Sequence, residues 1–402
     1  MRILGAGIAT LDVVSVVDRY PAEDDEVRAL ERHHRRGGNC TNSLAVLAQL
    51  GHGVSWIGTL GDDADSRLLL AAAAREHIDT SRRVSCSGGR TPVSHVVLSR
   101  ATGSRTIVHY RDLPELSAED FAAVPLQGLD WVHFEGRNVP ALGLMLERAR
   151  EFGTRCSLEV EKPRDGIEAL LGLPELLLFS RAYARHRGFA DAQGFLRSLP
   201  RRSGQVVCCA WGADGAWAID GEGSLHHSPA FPPLRLLDTL GAGDAFNAAC
   251  IDGTLRGLSV AATLREASRL AGRKCGLAGL QGLGRPAGST LALCRLDELG
   301  DPGSRGFQLP LPDCTDLPCF VVRHGDRVHG YRNQCPHTEA PLEWRAHQFL
   351  DPDGRFIQCA LHGALFAPTD GRCVHGPCAG DALEPVAVEV CDGWVIWTTP
   401  AA

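Results

Sequence analysis

The sequence predicts an α/β fold with a largely parallel sheet covered by helices, followed by a small all-β module. Short apolar runs alternate with longer helical stretches from residue 1 to about 284, the pattern of strands joined by helical crossovers. The segment Gly284 to Thr290, GRPAGST, is a Gly- and Pro-rich seam, and the runs beyond it are short, β-type and punctuated by Gly, Asp and Pro.

In chain order, the expected strands of the first region are Ile3 to Ile8, Val54 to Ile57, Trp131 to Phe134, Leu176 to Phe179 and Val206 to Ala210. The expected helices are Asn42 to Leu50, Ala64 to Glu76, Leu142 to Glu151 and Ala242 to Leu255. After the seam, β-type runs fall at 319–324, 356–359 and 384–397. The organisation is therefore a domain at 1–284, a linker at 285–295 and a second domain at 296–402, with no internal repeat or low-complexity tract.

A chain of 402 residues with 44% hydrophobic and 22% charged residues suits two or three globular domains. Its net charge of -7 leaves no global basic field to hold nucleic acid or an anionic membrane, so neither is expected as a partner. Only Lys162 and Lys274 are lysines, and no mechanism can lean on a surface-lysine cluster. Met1 to Ile8 starts like a buried strand rather than a secretory signal. Runs such as Leu68 to Ala74 fall far short of the roughly 20 residues that cross a bilayer. A cytoplasmic location is expected, and the fifteen cysteines then read as thiols or metal ligands before disulfides. Seven of them, Cys314, Cys319, Cys335, Cys359, Cys373, Cys378 and Cys391, crowd into the last hundred residues.

The most informative stretch of the first region runs from Leu236 to Asn247, LLDTLGAGDAFN. Small residues at Gly241, Ala242 and Gly243 let backbone N–H groups approach an anion, and the helix that follows brings its positive end to the same point. Asp244 adds a carboxylate at the start of that helix. Phosphoryl transfer needs both functions, a cradle for the moving charge and a base for the attacking hydroxyl. Taken alone, GAGD also reads as a tight turn with an N-cap aspartate. A second run, Gly37-Gly38-Asn39-Cys40-Thr41-Asn42, changes the weighting, because it sets two glycines and two amide side chains before a helix. Asp12 adds an acceptor just after the first strand. Gly5-Ala6-Gly7 fails the dinucleotide fingerprint at Thr10, and no G-x-x-x-x-G-K-[ST] occurs. Cys208-Cys209 and His226-His227 read as an apolar strand and a loop rather than as ligands.

DTLGAGDAFNA (238–248) and GGNCTNSLAVLAQLG (37–51), followed by Gly61-Asp62, resemble the two signatures of the ribokinase or PfkB family of sugar kinases. DRYPAEDDEVR (18–28), RTIVHYRDLPELSAEDF (105–121), HFEGRN (133–138), EVEKPR (159–164), CAWGADGAW (209–217), HSPAFPP (227–233) and AGRKCGL (271–277) resemble its ketohexokinase branch. The resemblance implies a ribokinase-like sandwich with a β-clasp lid. It implies Asp244 as the base toward the sugar hydroxyl, and the amides of Gly241, Ala242 and Gly243 as the anion hole. Asp12, Gly38, Asn39, Asn42 and Arg105 match sugar-contacting positions. Asp24 matches an acidic residue that reaches a neighbouring subunit's site through the clasp, which implies a homodimer. Ala210, Gly212 and Gly215, with Phe231 and Pro232, match the adenine-nucleotide side. Mg-ATP is the implied cosubstrate, with Glu161 orienting water on the magnesium and potassium supporting the anion hole.

In the second region, Cys335-Pro336-His337 is followed 22 residues after His337 by Cys359-Ala360-Leu361-His362. Two thiolates and two imidazoles could hold zinc. The spacing argues otherwise, because each loop supplies one Cys and one His, the division of a Rieske [2Fe-2S] centre. NQCPHTEAPLEW (333–344) and IQCALHGALFAPTDGRC (357–373) resemble Rieske ferredoxin-type domains. Cysteine is missing at Ala340 and Ala360, where respiratory Rieske proteins bridge their ligand loops, and this implies the lower-potential ferredoxin or oxygenase type. Cys373 and Cys378 read either as structural thiols or as a redox-active pair. Histidine ligation leaves outer ring nitrogens free to titrate.

The expected function is ATP-dependent phosphorylation of a ketose or related small sugar hydroxyl, with the Rieske module exchanging electrons with a redox partner or acting as a redox sensor. The alternative is a Rieske electron carrier whose kinase-like domain is a sugar- or nucleotide-binding regulator. An aromatic-ring oxygenase would need a mononuclear iron site, for which the last hundred residues leave no room.

Overall fold

The computed structural model describes residues 1–102, 104–233, 236–284, 290–310, 316–391 and 393–398. The chain divides into two compact units, Met1–Gly284 and Arg285–Ala402. Residues 285–289 of the expected linker, and Cys314, lie outside the described residues. The rest of the expected linker is not one: Thr290–Arg295 is a strand paired antiparallel with Trp394–Thr398. Of its LALC run, Cys294 is buried, Ala292 and Leu293 are half-buried and Leu291 is exposed.

The first unit is built on a nine-stranded sheet. In spatial order its strands are Leu225–Ser228, Ala216–Ile219, Val206–Ala210, Leu176–Ser180, Cys156–Val160, Trp131–Glu135, Arg2–Ala6, Gly53–Ile57 and Ile78–Asp79. All neighbours are parallel except at the edge formed by Ala216–Ile219 and Leu225–Ser228. His226 and His227 are thus on an edge strand and not in a loop, and His226 pairs with Asp220 at 2.7 Å. The strands are buried on both faces, so consecutive residues enter different cores. Leu4, Val132, Phe134, Leu158 and Leu177 pack on one side, while Ile3, Trp131, Leu176, Leu178 and Cys208 pack on the other. Helices Asn39–Gln49 and Ala242–Leu255 fill the second core and touch each other.

A separate four-stranded sheet, in the order Glu31–Gly37, Thr10–Val17, Arg90–Ser99 and Arg105–Asp112, is covered less completely. Ile107, Val108 and Tyr110 of its last strand are exposed. Glu31–Gly37, ERHHRRG, has no apolar periodicity, and ladder pairing with Thr10–Val17 makes it a strand.

The second unit is all-β. Gly303–Pro310, Asp316–His324, Arg327–Arg332 and Pro385–Val386 form one sheet, and Ile357–Gln358, Leu365–Phe366 and Cys373–His375 another. Phe320, Tyr331, Phe349 and Phe366 form its principal core together with Cys335, Cys359 and Cys378. No described cysteine is in a disulfide. Among the described residues, no helix is long and apolar enough to cross a membrane.

Candidate functional site

Gly241 caps helix Ala242–Leu255 with φ 84°, a left-handed backbone that glycine adopts without a Cβ clash. The turn brings the first N–H groups of the helix beside Asp244, and one of them, Ala242 N, donates to Thr239 O at 3.3 Å. Below the turn, Asp238 accepts hydrogen bonds from Leu240 N (2.9 Å) and Gly279 N (3.2 Å) and pairs with Arg35 (3.3 Å) and Lys274 (3.2 Å). The Lys274 ammonium is wholly buried and also donates to the carbonyls of Asp238 (2.8 Å) and Leu277 (3.2 Å). Burial pushes the Asp238 carboxyl up, but the ammonium and the two N–H groups outweigh it and hold the group below its ordinary range.

Asp244 is buried, and its Oδ2 accepts from Asn42 Nδ2 at 2.7 Å. Arg36 donates to Asn42 Oδ1 at 2.9 Å, which turns the amide so that its NH₂ faces the carboxylate. Burial pushes Asp244 up to about 7 against the Asn42 bond, and the nearby Glu161 and Glu135 carboxylates add to the rise. Asp12 is pushed up to about 6 by burial, against a Ser94 hydrogen bond and the charges of Arg36 and Arg35. Asn39 donates to Glu159 Oε1 and Glu161 Oε2, both at 3.1 Å, and Asn247 donates to Glu159 Oε1 at 3.0 Å. Burial, then the charges of Asp244, Glu135 and Glu161, drive Glu159 well above the usual carboxylate range. Its Oε2 is buried with no partner among the described residues. Arg105 reaches Thr239 Oγ1 at 2.8 Å, just ahead of the turn. Gly38, at φ 102°, caps helix Asn39–Gln49.

The expected nucleotide residues meet the same framework from the other side. Ala210 ends its strand, and Gly212 and Gly215 follow at φ 69° and 92°. A Cβ on Gly215 would lie 2.1 Å from Ser228 O, so only glycine fits there. Phe231 lies under the Arg269 guanidinium at 5.0 Å, and Pro232 beside it is exposed. Helix Val260–Cys275 touches both groups, through Gly272 against the Phe231 carbonyl and Lys274 against Asp238. Asp24 is exposed at φ 62° and makes none of these contacts within the chain. Sequence reading passed over Arg36, Glu135 and Glu159. For the two glutamates the signals were a carboxylate in or ending an otherwise apolar strand, WVHFE and CSLEV, and their place in HFEGRN (133–138) and EVEKPR (159–164).

In the second unit, Cys335 and Cys359 each open a tight turn that closes back onto it, with Cys335 N to Ala340 O at 2.8 Å and Cys359 N to Ala364 O at 2.9 Å. Ala360 N to Leu342 O, at 2.7 Å, ties the two loops together. Both thiols are buried side by side, and the N–H groups of Leu361 and His362 face the Cys359 sulfur. His337 and His362 are exposed, with ring centroids 5.0 Å apart. Among the described residues no three His, Cys, Asp or Glu side chains converge on a single ion. An inner thiol pair and an outer imidazole pair fit a two-iron cluster that gives two ligands to each iron.

Residues 2–285 match the pfkB family carbohydrate kinase model, and residues 293–389 match the Rieske [2Fe-2S] domain. Ketohexokinase of Mus musculus is 40% identical over 293 residues, covering 70% of this chain and 98% of its own. ATP-dependent ribose-1-phosphate kinase of Halopiger xanaduensis is 27% identical over 62% of this chain and 84% of its own. The PfkB protein from Polaromonas sp. JS666 superposes with TM-score 0.58 and 25% identity, covering 70% of this chain and 99% of that one. Arabidopsis thaliana ribokinase, solved with ribose and ATP, gives TM-score 0.58 at 20% identity over 69% of this chain and 93% of its own.

Proposed function

The chain belongs to the pfkB family of carbohydrate kinases and carries a Rieske domain after it, and on that premise we propose that it phosphorylates a primary hydroxyl of a ketose or a related small polyol. It is an ATP-dependent sugar kinase, and its Rieske domain implies a 2Fe-2S cluster and a redox partner. The ketose assignment is supported by the 40% identity to a ketohexokinase across nearly that protein's whole length.

The observation that carries the mechanism is Asp244, a buried carboxyl held up at about 7 in the first turn of a glycine-capped helix. Asp244 accepts the proton of the sugar hydroxyl, and the amides of Gly241, Ala242 and Gly243 receive the charge of the moving phosphoryl group. Asn39, Asn42, Asp12 and Arg105, with Gly38 giving close backbone approach, grip the sugar. Gly212, Gly215, Ala210, Phe231 and Pro232 line the nucleotide side. Magnesium, when bound with ATP, screens the phosphate charge, and Glu161 is the carboxylate placed to hold its water. In a homodimer, Asp24 would act on the neighbouring sugar site, which suits its exposure here. Cys335 and Cys359 would hold one iron of the cluster, and His337 and His362 the other. Such a cluster, when bound, would supply single-electron exchange, and the covalent fusion of its domain to the kinase favours a sensing role.

The test is ATP turnover by the purified full chain against a panel of ketoses, aldoses and nucleosides. Turnover with a ketose is expected. Turnover confined to aldoses or nucleosides overturns the substrate class, and none at all would favour the regulatory reading of the kinase unit.

A further inference from the structure

We propose that Cys373 and Cys378 form a reversible disulfide, a two-electron thiol centre set into the same core as the cluster-ligand cysteines. The Cys378 thiol donates to Cys373 Sγ at 3.3 Å. The six-residue segment Cys373–Cys378 folds back on itself at both ends: Cys373 N bonds Asp381 O at 2.9 Å, and Asp381 N bonds Cys378 O at 3.0 Å. Between them Gly376, at φ 113°, packs so closely that a Cβ would meet Ala364 Cα at 2.8 Å, which holds the turn in place. The two sulfurs are thus pre-positioned, and a closing bond needs little chain entropy.

The pair is also asymmetric in access. Cys378 is 2% exposed and sits in the core that contains Cys335 and Cys359, whereas Cys373 is half-buried at the edge of that core. A low-molecular-weight disulfide, R–S–S–R, therefore meets Cys373 first. The Cys373 thiolate attacks one sulfur and releases R–SH, taking the thiol proton. Cys378 then attacks the Cys373 sulfur of the mixed disulfide and releases the second R–SH. The two cysteines lose two electrons and two protons, and the external disulfide gains them. Cys378 is the resolving thiol because burial keeps it from external partners but not from Cys373.

The bond changes what lies behind the cluster. It removes the S–H of Cys378 and closes the Cys373–Cys378 segment into a covalent ring packed in the core of Cys335 and Cys359. A two-electron thiol couple then shares a core with two of the residues that would hold a one-electron cluster. The inference rests on these two sulfurs and stands whether or not the sugar is a ketose.

The test equilibrates the full, cluster-loaded chain with glutathione buffers, quenches in acid, alkylates free thiols and identifies peptides by mass spectrometry, with cleavage after Arg372 and Glu389 separating Cys359 and Cys391. The Cys373–Cys378 link is expected to appear while the Rieske visible spectrum persists. Its disulfide-to-dithiol ratio should rise about tenfold for each tenfold rise in [GSSG]/[GSH]². Cys378→Ser should trap glutathione on Cys373, and Cys373→Ser should leave Cys378 unmodified. Two alkylated thiols at every ratio, or a link that forms only after the cluster spectrum is lost, overturns the proposal. The wild-type titration decides alone should either variant fail to load its cluster.

Discussion

Asn42 Nδ2 donates to Asp244 Oδ2 at 2.7 Å across 202 positions of sequence, joining the first turns of two helices into one acid–amide unit. Arg36 fixes the amide's orientation from behind, so the carboxylate meets N–H and not C=O. A buried base with its remaining oxygen free is the result.

Replacing Asp244 with Asn removes the base and keeps the shape. We expect kcat to fall about 10²- to 10⁴-fold with nucleotide affinity largely intact, measured by steady-state turnover and by calorimetric nucleotide binding. Wild-type turnover in the variant would remove Asp244 from the mechanism.

The pH profile follows from the same group. Asp244 must be ionised to accept a proton and is held up at about 7, so kcat/KM should fall as pH drops through about 7. Asn42→Leu deletes the bond that favours the ionised form, and should move that limb to higher pH. Stability runs the opposite way. A carboxyl whose folded pKa is raised stabilises the fold below its unfolded value near 3.8, and that contribution is lost as pH rises through about 7. Asp244→Asn should accordingly melt higher than wild type at pH 8 and show little difference at pH 4, read by calorimetry.

Lys274→Met leaves the Asp238 carboxylate buried beneath the anion turn without its ammonium. Loss of one partner of a buried pair costs about 3–5 kcal/mol, moderated here by Arg35, so a lower Tm and a reduced kcat are expected together. An unchanged Tm would show that Arg35 alone suffices.

Gly241→Ala forces a side chain onto a backbone at φ 84° and brings a Cβ to 3.0 Å from Leu280 Cδ2. The left-handed backbone alone costs roughly 1–2 kcal/mol. The turn should relax away from its phosphate-binding shape, lowering kcat more than sugar affinity in a KM-against-kcat comparison.

Each of Cys335→Ser, His337→Ala, Cys359→Ser and His362→Ala should abolish the cluster's visible absorption, while sugar phosphorylation continues. Comparing phosphorylation rates with the wild-type cluster oxidised and reduced then tests sensing: a rate difference is expected, and equal rates would leave the module as an electron carrier.

The sheet was legible because its strands are bare apolar runs: Val54–Ile57, Leu176–Phe179 and Val206–Ala210 lie within or on the observed strands, and Ala242–Leu255 is the observed helix. The charged strand Glu31–Gly37 was not legible, since ladder bonds and not burial make it a strand. Motif residues Asp244, Asn42 and Asn39 announced themselves by spacing. Glu159 and Glu135 did not, because a carboxylate in an apolar strand has meaning only once its neighbours across the sheet are known. The two Cys and two His expected to hold the cluster stood out by spacing and by the resemblance of their surroundings, whereas for Cys373 and Cys378 the sequence left structural and redox readings open, and their 3.3 Å approach depends on a turn that no spacing encodes.

Lys274 lies one residue from the end of the last helix of the kinase unit, yet it secures the floor of a turn 33 residues earlier, and its floor partner Asp238 also holds Arg35. During synthesis, which runs N- to C-terminal at about 5–20 residues per second, the phosphate cradle therefore cannot be completed until that helix has left the ribosome. Until then the turn lacks its buried ammonium, and the cluster-binding unit is translated only after the kinase unit has all its parts.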